Sequence, residues 1–469
     1  MQAARGSMNN GLKANSLSFF ESLVMGVAGS APGYTIAVTT GVLLASAGTL
    51  APGALVIFAI PMLGIAFAYR ALNKRAVSAG AAYQWTTAAF GKLPGFFSGW
   101  ALLIASLVFM VTGSIPAATA TLNFIDPALT GNVVVTASVA SLWFVVVALI
   151  LIMGIEITSK AQVVMTGIEL VILTFVLIAA FVHVAEVGAV NVFSWSWFGL
   201  GYTRQSFAAS ALVTVFFYWG WDVTANLGEE TRNAEDTAGN GGFSSVVVTI
   251  FYYLGFTVAA LFLFSLKDAK SLTDNIIYNL AVTSGLGRNG GLAASLAVIL
   301  SSVATLETAM LQFSRTLFAM GRDGAMPRLF GQVSAKTQSP VRAMYLLVGI
   351  GLVLLWASSL MPSVSAIITA SVNAVAIQVA YYYGLAGLVA AWTFRREAGL
   401  KWFALCLFPG VSGLMLIGLG IYAVTTFSLI TLVVGVGGFA LGILFFRPGR
   451  YGAPDRDVPP QAGVKITSL

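Results

Sequence analysis

Apolar residues in this chain come in long blocks separated by short segments rich in polar residues, glycine and proline. A helix needs about 20 residues to cross a bilayer. Blocks near that length fall at 17–46, 51–72, 94–124, 132–155, 160–184, 206–228, 243–265, 290–320, 340–360, 363–394, 402–424 and 427–446. About twelve transmembrane helices are predicted. Two blocks are interrupted where a membrane helix would be expected to run through. The first contains Gly-Val-Ala-Gly-Ser-Ala-Pro-Gly at Gly26–Gly33. Gly costs about 1 kcal/mol and Pro about 3 kcal/mol relative to Ala in a helix interior, and Pro32 also removes a backbone donor. The sixth block carries Gly220 and Asp222 in its middle, within Phe-Phe-Tyr-Trp-Gly-Trp-Asp. A charged side chain at that depth faces a bundle interior or a cavity, unless it only snorkels or caps a kink. In hydrocarbon, broken backbone is tolerated only where protein or a water-filled cavity satisfies it. Helices 1 and 6 are therefore expected to be discontinuous, with free backbone groups facing a polar ligand at mid-membrane.

Spans 1 and 6 each open a run of five. Five is odd, so the second run starts from the opposite membrane face, as in an inverted-topology repeat. The predicted organisation is an all-α polytopic membrane protein with a cytoplasmic N-terminal tail at 1–16 and a permease domain at 17–446. Within that domain the repeats cover 17–184 and 206–394, and two extra helices cover 402–446. Residues 447–469, rich in Pro, Gly and charge, are expected to form a disordered cytoplasmic tail. The stretch Ser78–Gly95, with Tyr83, Gln84 and Trp85, is expected to form a short interfacial helix.

Composition supports the membrane reading: 58% of residues are hydrophobic and 9% charged, against roughly 25% charged in soluble domains. With the N-terminus inside, all but Arg204, Lys267, Lys270 and Arg288 of the 24 Lys and Arg residues fall on the cytoplasmic side. The positive-inside rule selects that orientation. The net charge of +7 is then a topology signal, and no nucleic-acid partner is expected. The first apolar block is too long for a cleaved signal. A multi-pass protein of the plasma (inner) membrane with both termini cytoplasmic is expected. One cysteine, Cys406, and one histidine, His183, leave no set for a metal site, a thiol enzyme or an internal disulfide. No glycine run follows a strand to cradle phosphate. The chain is expected to be neither an enzyme nor an ATP-driven pump. A nutrient sensor would add a soluble domain, and a tail of about 23 residues is too short for one.

Three blocks carry a family resemblance. They are Phe-Phe-Tyr-Trp-Gly-Trp-Asp with its trailing Gly-Glu-Glu-Thr-Arg-Asn, the segment Ser78–Trp100, and Phe-Ser-Arg-Thr-Leu-Phe-Ala-Met-Gly-Arg-Asp-Gly-Ala-Met-Pro-Arg-Leu-Phe at Phe313–Phe330. The chain resembles the amino acid–polyamine–organocation permeases from roughly Ser16 to Phe446. The resemblance implies a LeuT-like five-plus-five inverted repeat with two added helices, and alternating access for amino acids or related amines. It also implies an aromatic gate in span 6, matched here by Phe216. Many proton-coupled members carry a span-5 lysine in place of a sodium ion. Alignment on Gly154–Gln162 puts Glu169 at that position.

The chemistry of such a substrate names the candidate residues. A carboxylate is best met by free amides at a half-helix N-terminus; Gly29, Ser30, Ala31 and Gly33 are the candidates, where the family's usual break is a Gly-Ser-Gly type run. An ammonium needs acceptors, and the carbonyls near Phe216, Phe217, Trp219 and Gly220 are expected to supply them, with Asp222 close by. Tyr218, Trp219 and Trp221 are equally consistent with packing. Glu169 lies roughly 13 Å into span 5 and Glu307 roughly 20 Å from the end of span 8, at 1.5 Å per residue. Glu169 is expected to bind a proton, to ligate a cation with Ser301, Ser302 or Thr305, or to pair with a cationic substrate. A neutral acid hydrogen-bonded between helices is the plainer reading of both glutamates. His183, at the outer end of span 5, reads as interfacial rather than as a relay. The expected function is secondary active import of amino acids or polyamines, coupled to protons or to sodium, with no other cofactor. An ion-independent exchanger is the nearest alternative and a non-transporting sensor the next. The expected partners are a small-molecule substrate and the lipid bilayer; oligomeric state is left open.

Overall fold

The computed structural model describes residues 11–271 and 276–447. Residues 1–10 of the N-terminal tail and 448–469 of the predicted disordered tail lie outside the described residues. Span 1 is α1 (Phe19–Ser30) followed by α2 (Pro32–Ala47). A capping box opens α1: the Ser18 amide donates to Glu21 Oε2 at 2.7 Å, and the Glu21 amide donates to Ser18 Oγ at 3.4 Å. Ala31 then takes left-handed backbone, with φ 47° and ψ 73°. Pro32 starts α2, where its missing N–H and fixed φ fit the first helical position.

Spans 2 to 5 are α3 (Ala51–Arg75), α5 (Lys92–Ile125), α6 (Val133–Ile152) and α7 (Ile155–Val187), with α4 (Ala82–Phe90) between the first two. Span 6 is α8 (Arg204–Phe217), an irregular turn, and the short α9 (Val223–Asn226). Span 7 is α10 (Ala234–Leu263); α11 (Leu266–Ser271) and α12 (Ile276–Ala281) lead to span 8, α13 (Gly287–Arg322). Spans 9 and 10 are α14 (Val341–Ser358) and α15 (Val364–Thr393). Span 11 is α16 (Gly399–Val424) and span 12 is α17 (Leu429–Phe445). Nine stretches among the described residues are long and apolar enough to cross a bilayer; one of them, Phe19–Arg75, holds spans 1 and 2 together. The broken span 6 and the shorter Leu429–Phe445 complete twelve.

Helix packing repeats with a period of five spans. Span 1 packs on span 7 through α1 and α10, and span 6 packs on span 2 through α8 and α3. Spans 5 and 8 pair through α7 and α13, as spans 10 and 3 do through α15 and α5. Span 3 contacts spans 4 and 9; span 8 contacts spans 9 and 4. Burial follows the same rule. The most apolar windows of α5 and α13 are 94% and 89% buried, whereas those of α6 and α14 are 33% and 28% buried. Spans 3 and 8 are central pillars, and spans 4 and 9 turn apolar faces outward, as lipid contact requires. Spans 11 and 12 pack outside this arrangement, chiefly against α15.

The stretch Ser78–Gly95 forms the expected short helix at Ala82–Phe90, in which Tyr83 and Trp85 are 1% and 4% exposed. They point into the bundle, where α4 packs on α5 and α15. The Trp85 indole meets Tyr69 edge-on at 5.2 Å and donates to the Ala76 carbonyl at 2.8 Å.

Candidate functional site where two broken helices meet

The two breaks touch through backbone. A Cβ built on Gly29 would collide with the Gly220 carbonyl, and one built on Gly220 would collide with the Gly29 carbonyl. Gly220 also has φ 102°, a conformation that favours glycine. Glycine at both positions lets the unwound segments cross without side chains between them.

The free amides of span 1 lie later than the sequence suggested. Gly29 and Ser30 belong to α1, and the Ala31 amide donates to the Val27 carbonyl at 2.8 Å. Helix α1 runs intact to Ser30 because a single left-handed residue makes the break. The amides that lack helical acceptors are those of Gly33 and Tyr34, since Pro32 has none. They donate to Glu169 Oε1 at 2.9 Å and to Ser301 Oγ at 3.0 Å. On the other side of the break, Thr305 Oγ1 donates to the Gly29 carbonyl at 3.0 Å. The Ser30 carbonyl accepts from Thr35 Oγ1 at 2.8 Å and from the Tyr253 hydroxyl at 2.7 Å. Spans 5, 7 and 8 thus satisfy the backbone that span 1 gives up. The Ser30 hydroxyl, 2% exposed, has no hydrogen-bond partner among the described residues.

The break in span 6 is organised from within. Asp222, fully buried, accepts from Gln312 Nε2 at 2.7 Å, the Tyr382 hydroxyl at 3.0 Å and the Tyr383 hydroxyl at 2.8 Å. The Trp219 indole donates to the Tyr382 hydroxyl at 2.6 Å. Through these three donors Asp222 anchors spans 8 and 10 to the break. The Phe216 carbonyl, expected to be free, takes the Trp219 amide at 3.2 Å. Phe216 and Phe217 diverge as successive helical residues must. Phe217 packs on Tyr253 at 5.0 Å, while Phe216, Tyr34, Phe109 and Trp219 form an aromatic layer with centroids 5.1–6.4 Å apart.

The two faces of the protein differ. One turn beyond Tyr34 in α2 and two turns beyond Phe109 in α5, a cavity of about 250 Å³ is lined by residues including Ala37, Val38, Asn123, Tyr278 and Ser295. Below the break, toward the N-terminal segment, ion pairs close the molecule. Arg315 binds Glu230 through two hydrogen bonds, of 2.9 and 2.8 Å, with both side chains 0% exposed. Arg322 pairs with Glu229 at 2.9 Å, and Glu229 also accepts the Ala79 amide. Residues Ser16 and Leu17 add backbone bonds to Glu230, and Arg232 returns one to Leu17. At the rim, burial pushes the Asp323 carboxyl upward against a hydrogen bond from Gln84.

Of the proposed coupling residues, Glu169, Ser301 and Thr305 converge on the span-1 break. Ser302, also on α13, is buried, and its hydroxyl has no hydrogen-bond partner among the described residues. Glu307 stands apart: its Oε2 accepts from Gln162 at 2.5 Å. Tyr253, Tyr382, Tyr383, Gln312 and Gln162 were not anticipated. The run Tyr381–Tyr383 in an apolar span was the available signal.

A family model described as amino acid permease matches residues 17–450. The chain belongs to this family. It is 28% identical over 304 residues to cationic amino acid transporter 2, vacuolar, of Arabidopsis thaliana, covering 59% of this chain and 45% of that protein. It is 26% identical over 349 residues to the methylthioribose transporter of Bacillus subtilis, covering 71% of this chain and 73% of the relative. It is 26% identical over 352 residues to the low-affinity putrescine importer of Escherichia coli, covering 72% and 73%. The chain spans about half the length of the plant cationic amino acid transporters that it matches. Family membership accords with the amino acid–polyamine–organocation resemblance of its sequence blocks.

Proposed function

We propose that this permease is a secondary active transporter that imports amino acids or related amines, polyamines included, by alternating access, and that Glu169 couples the cycle to protons. The observation that carries this reading is the Glu169 carboxylate on the Gly33 amide. It joins an ionisable side chain of span 5 to the helix end at which substrate binds. A hydrogen bond from an amide to an ionised carboxylate is roughly twice as strong as a neutral one. Protonation of Glu169 loosens the hold of spans 5 and 8 on α2, and deprotonation restores it.

In this state the face bearing the N-terminal segment is sealed by Arg315–Glu230 and its neighbours, and the cavity opens on the other side. Substrate descends from the cavity and displaces the Phe216 layer, and an amino acid offers its carboxylate to the Ser30 hydroxyl. Its ammonium meets the backbone acceptors and aromatic faces of the span-6 break. The positive-inside rule supports a cytoplasmic orientation for the sealed face. A sodium ion held by Glu169 and Ser302 is the competing coupling chemistry.

Purified protein in liposomes tests the proposal with labelled L-arginine, L-serine and putrescine. At least one probe is expected to accumulate above equilibrium under an inward proton gradient and not under an inward sodium gradient. Accumulation that requires the same solute inside would make the protein an exchanger. A rise in thermal stability with no flux of any probe would make it a sensor, because a ligand that binds the folded state stabilises it whether or not it moves.

A further inference from the structure

Helix α7 faces lipid along most of its surface, with Val164 and Val171 60% and 71% exposed. Its remaining face is a buried polar strip of Thr158, Ser159, Gln162, Thr166 and Glu169, spaced at three and four residues as one helical stripe requires. The strip packs against α13, which presents Ser301, Ser302, Thr305, Glu307 and Thr308, all buried. Four side-chain atoms along this seam have no hydrogen-bond partner among the described residues: Gln162 Oε1, Thr166 Oγ1, Glu169 Oε2 and Glu307 Oε1. Buried polar groups are almost always paired with protein or ordered water. A buried water makes about three hydrogen bonds, and a series of unpaired oxygens at one interface is the environment in which several would sit.

We infer that the seam between α7 and α13 is a hydrated proton path from Glu169 to the N-terminal face, with the Glu307–Gln162 pair as its relay. The inference rests on the proton-coupling reading of Glu169 and adds the route and the groups that carry it. Gln162 lies seven residues before Glu169 and seven after the start of α7, so each stage is about 10 Å long at 1.5 Å per residue. Gln162 Nε2 donates to Glu307 Oε2 and to the Ala304 carbonyl at 2.8 Å. This fixes one carboxylate oxygen and leaves Glu307 Oε1 for the path. The proton leaves the Glu169 carboxyl through water near Thr166 and adds to the Glu307 carboxylate. Glu307 then releases it to water at Ser159, so only O–H bonds form and break.

The charged and titratable neighbours suit this direction. Tyr253 of α10 reaches the upper end, bound to the Ser30 carbonyl. Lys160 lies on α7 near the mouth, where Lys13 pairs with Glu156 at 2.7 Å. Arg315, two turns below Glu307, is occupied by Glu230. Among the described residues no Lys, Arg or His forms an ion pair with Glu169 or Glu307, so neither acid is neutralised by a fixed cation.

Two measurements in liposomes decide it. Glu307→Gln keeps the shape of the pair; with the probe that wild type accumulates, it is expected to lower proton-driven accumulation at least tenfold and to keep counterflow exchange within twofold. In a Cys406→Ser background, silver ion, similar in size to hydronium, is expected to modify Thr166→Cys at least tenfold faster than the lipid-facing Val171→Cys. Undiminished accumulation by Glu307→Gln, or equally slow modification of both cysteines, overturns the path while leaving the Glu169 reading intact. Loss of exchange together with accumulation overturns the relay by making Glu307 part of the transport cycle itself. Absence of proton-driven accumulation by wild type overturns the coupling reading and the path with it.

Discussion

The two breaks lie against each other, yet they are stabilised in opposite ways. The span-1 break has no acid of its own. Its amides and carbonyls are satisfied by side chains from spans 5, 7 and 8, and the acid among them, Glu169, keeps one oxygen unpaired. The span-6 break carries its own acid, and Asp222 is filled by three neutral donors from spans 8 and 10. An acid that serves as a partner to another helix can release it by taking up a proton. An acid saturated by fixed donors holds its surroundings in one arrangement. The proposed function gives these two buried carboxylates different work, Glu169 coupling and Asp222 architecture.

Breaking the contact between the two segments has the largest expected effect. Gly29→Val or Gly220→Val places a branched side chain against the opposite backbone, and no monodisperse protein is expected on size-exclusion chromatography. Asp222→Ala comes next, because it leaves Gln312, Tyr382 and Tyr383 without an acceptor. Each buried donor left unpaired costs about 1–3 kcal/mol, so the unfolding midpoint in detergent should fall well below wild type. Asp222→Asn, which keeps one acceptor oxygen, should fall between them. Tyr253→Phe removes one hydrogen bond from the span-1 break and is expected to cost about 1 kcal/mol, visible as a small drop in the same midpoint.

The smallest change has the opposite sign. Ala31 is left-handed at φ 47°, which costs an L-residue roughly 1–2 kcal/mol. Ala31→Gly relieves that strain and should raise the midpoint slightly. An unchanged or lower midpoint would mean that the break at span 1 stores no strain in Ala31.

Much of this arrangement was legible in the sequence because it depends on local backbone chemistry. Gly29, Pro32 and Gly220 betray broken helices by composition alone, and apolar block length sets the twelve spans. Glu169 stood out as an acid deep in an apolar block. Three features were hidden. The unwinding, spread by glycines over Gly26–Gly33 in the sequence, is concentrated in Ala31, whose left-handed backbone ends α1 at Ser30. The donors that fill Asp222 lie 90 to 161 residues away, and no local pattern joins them. The burial of Tyr83 and Trp85 has no local sign, because packing under a bundle and anchoring at a membrane surface call for the same side chains.

If coupling resides at the span-1 break and not at span 6, the pH dependence of proton-driven accumulation in liposomes must separate wild type, Glu169→Gln and Asp222→Asn. Glu169→Gln is expected to fold, since its amide oxygen still accepts from Gly33, and its uptake is expected no longer to respond to pH. Whatever Asp222→Asn retains should keep the wild-type pH response. A Glu169→Gln protein that still accumulates substrate with the wild-type pH profile would contradict the claim.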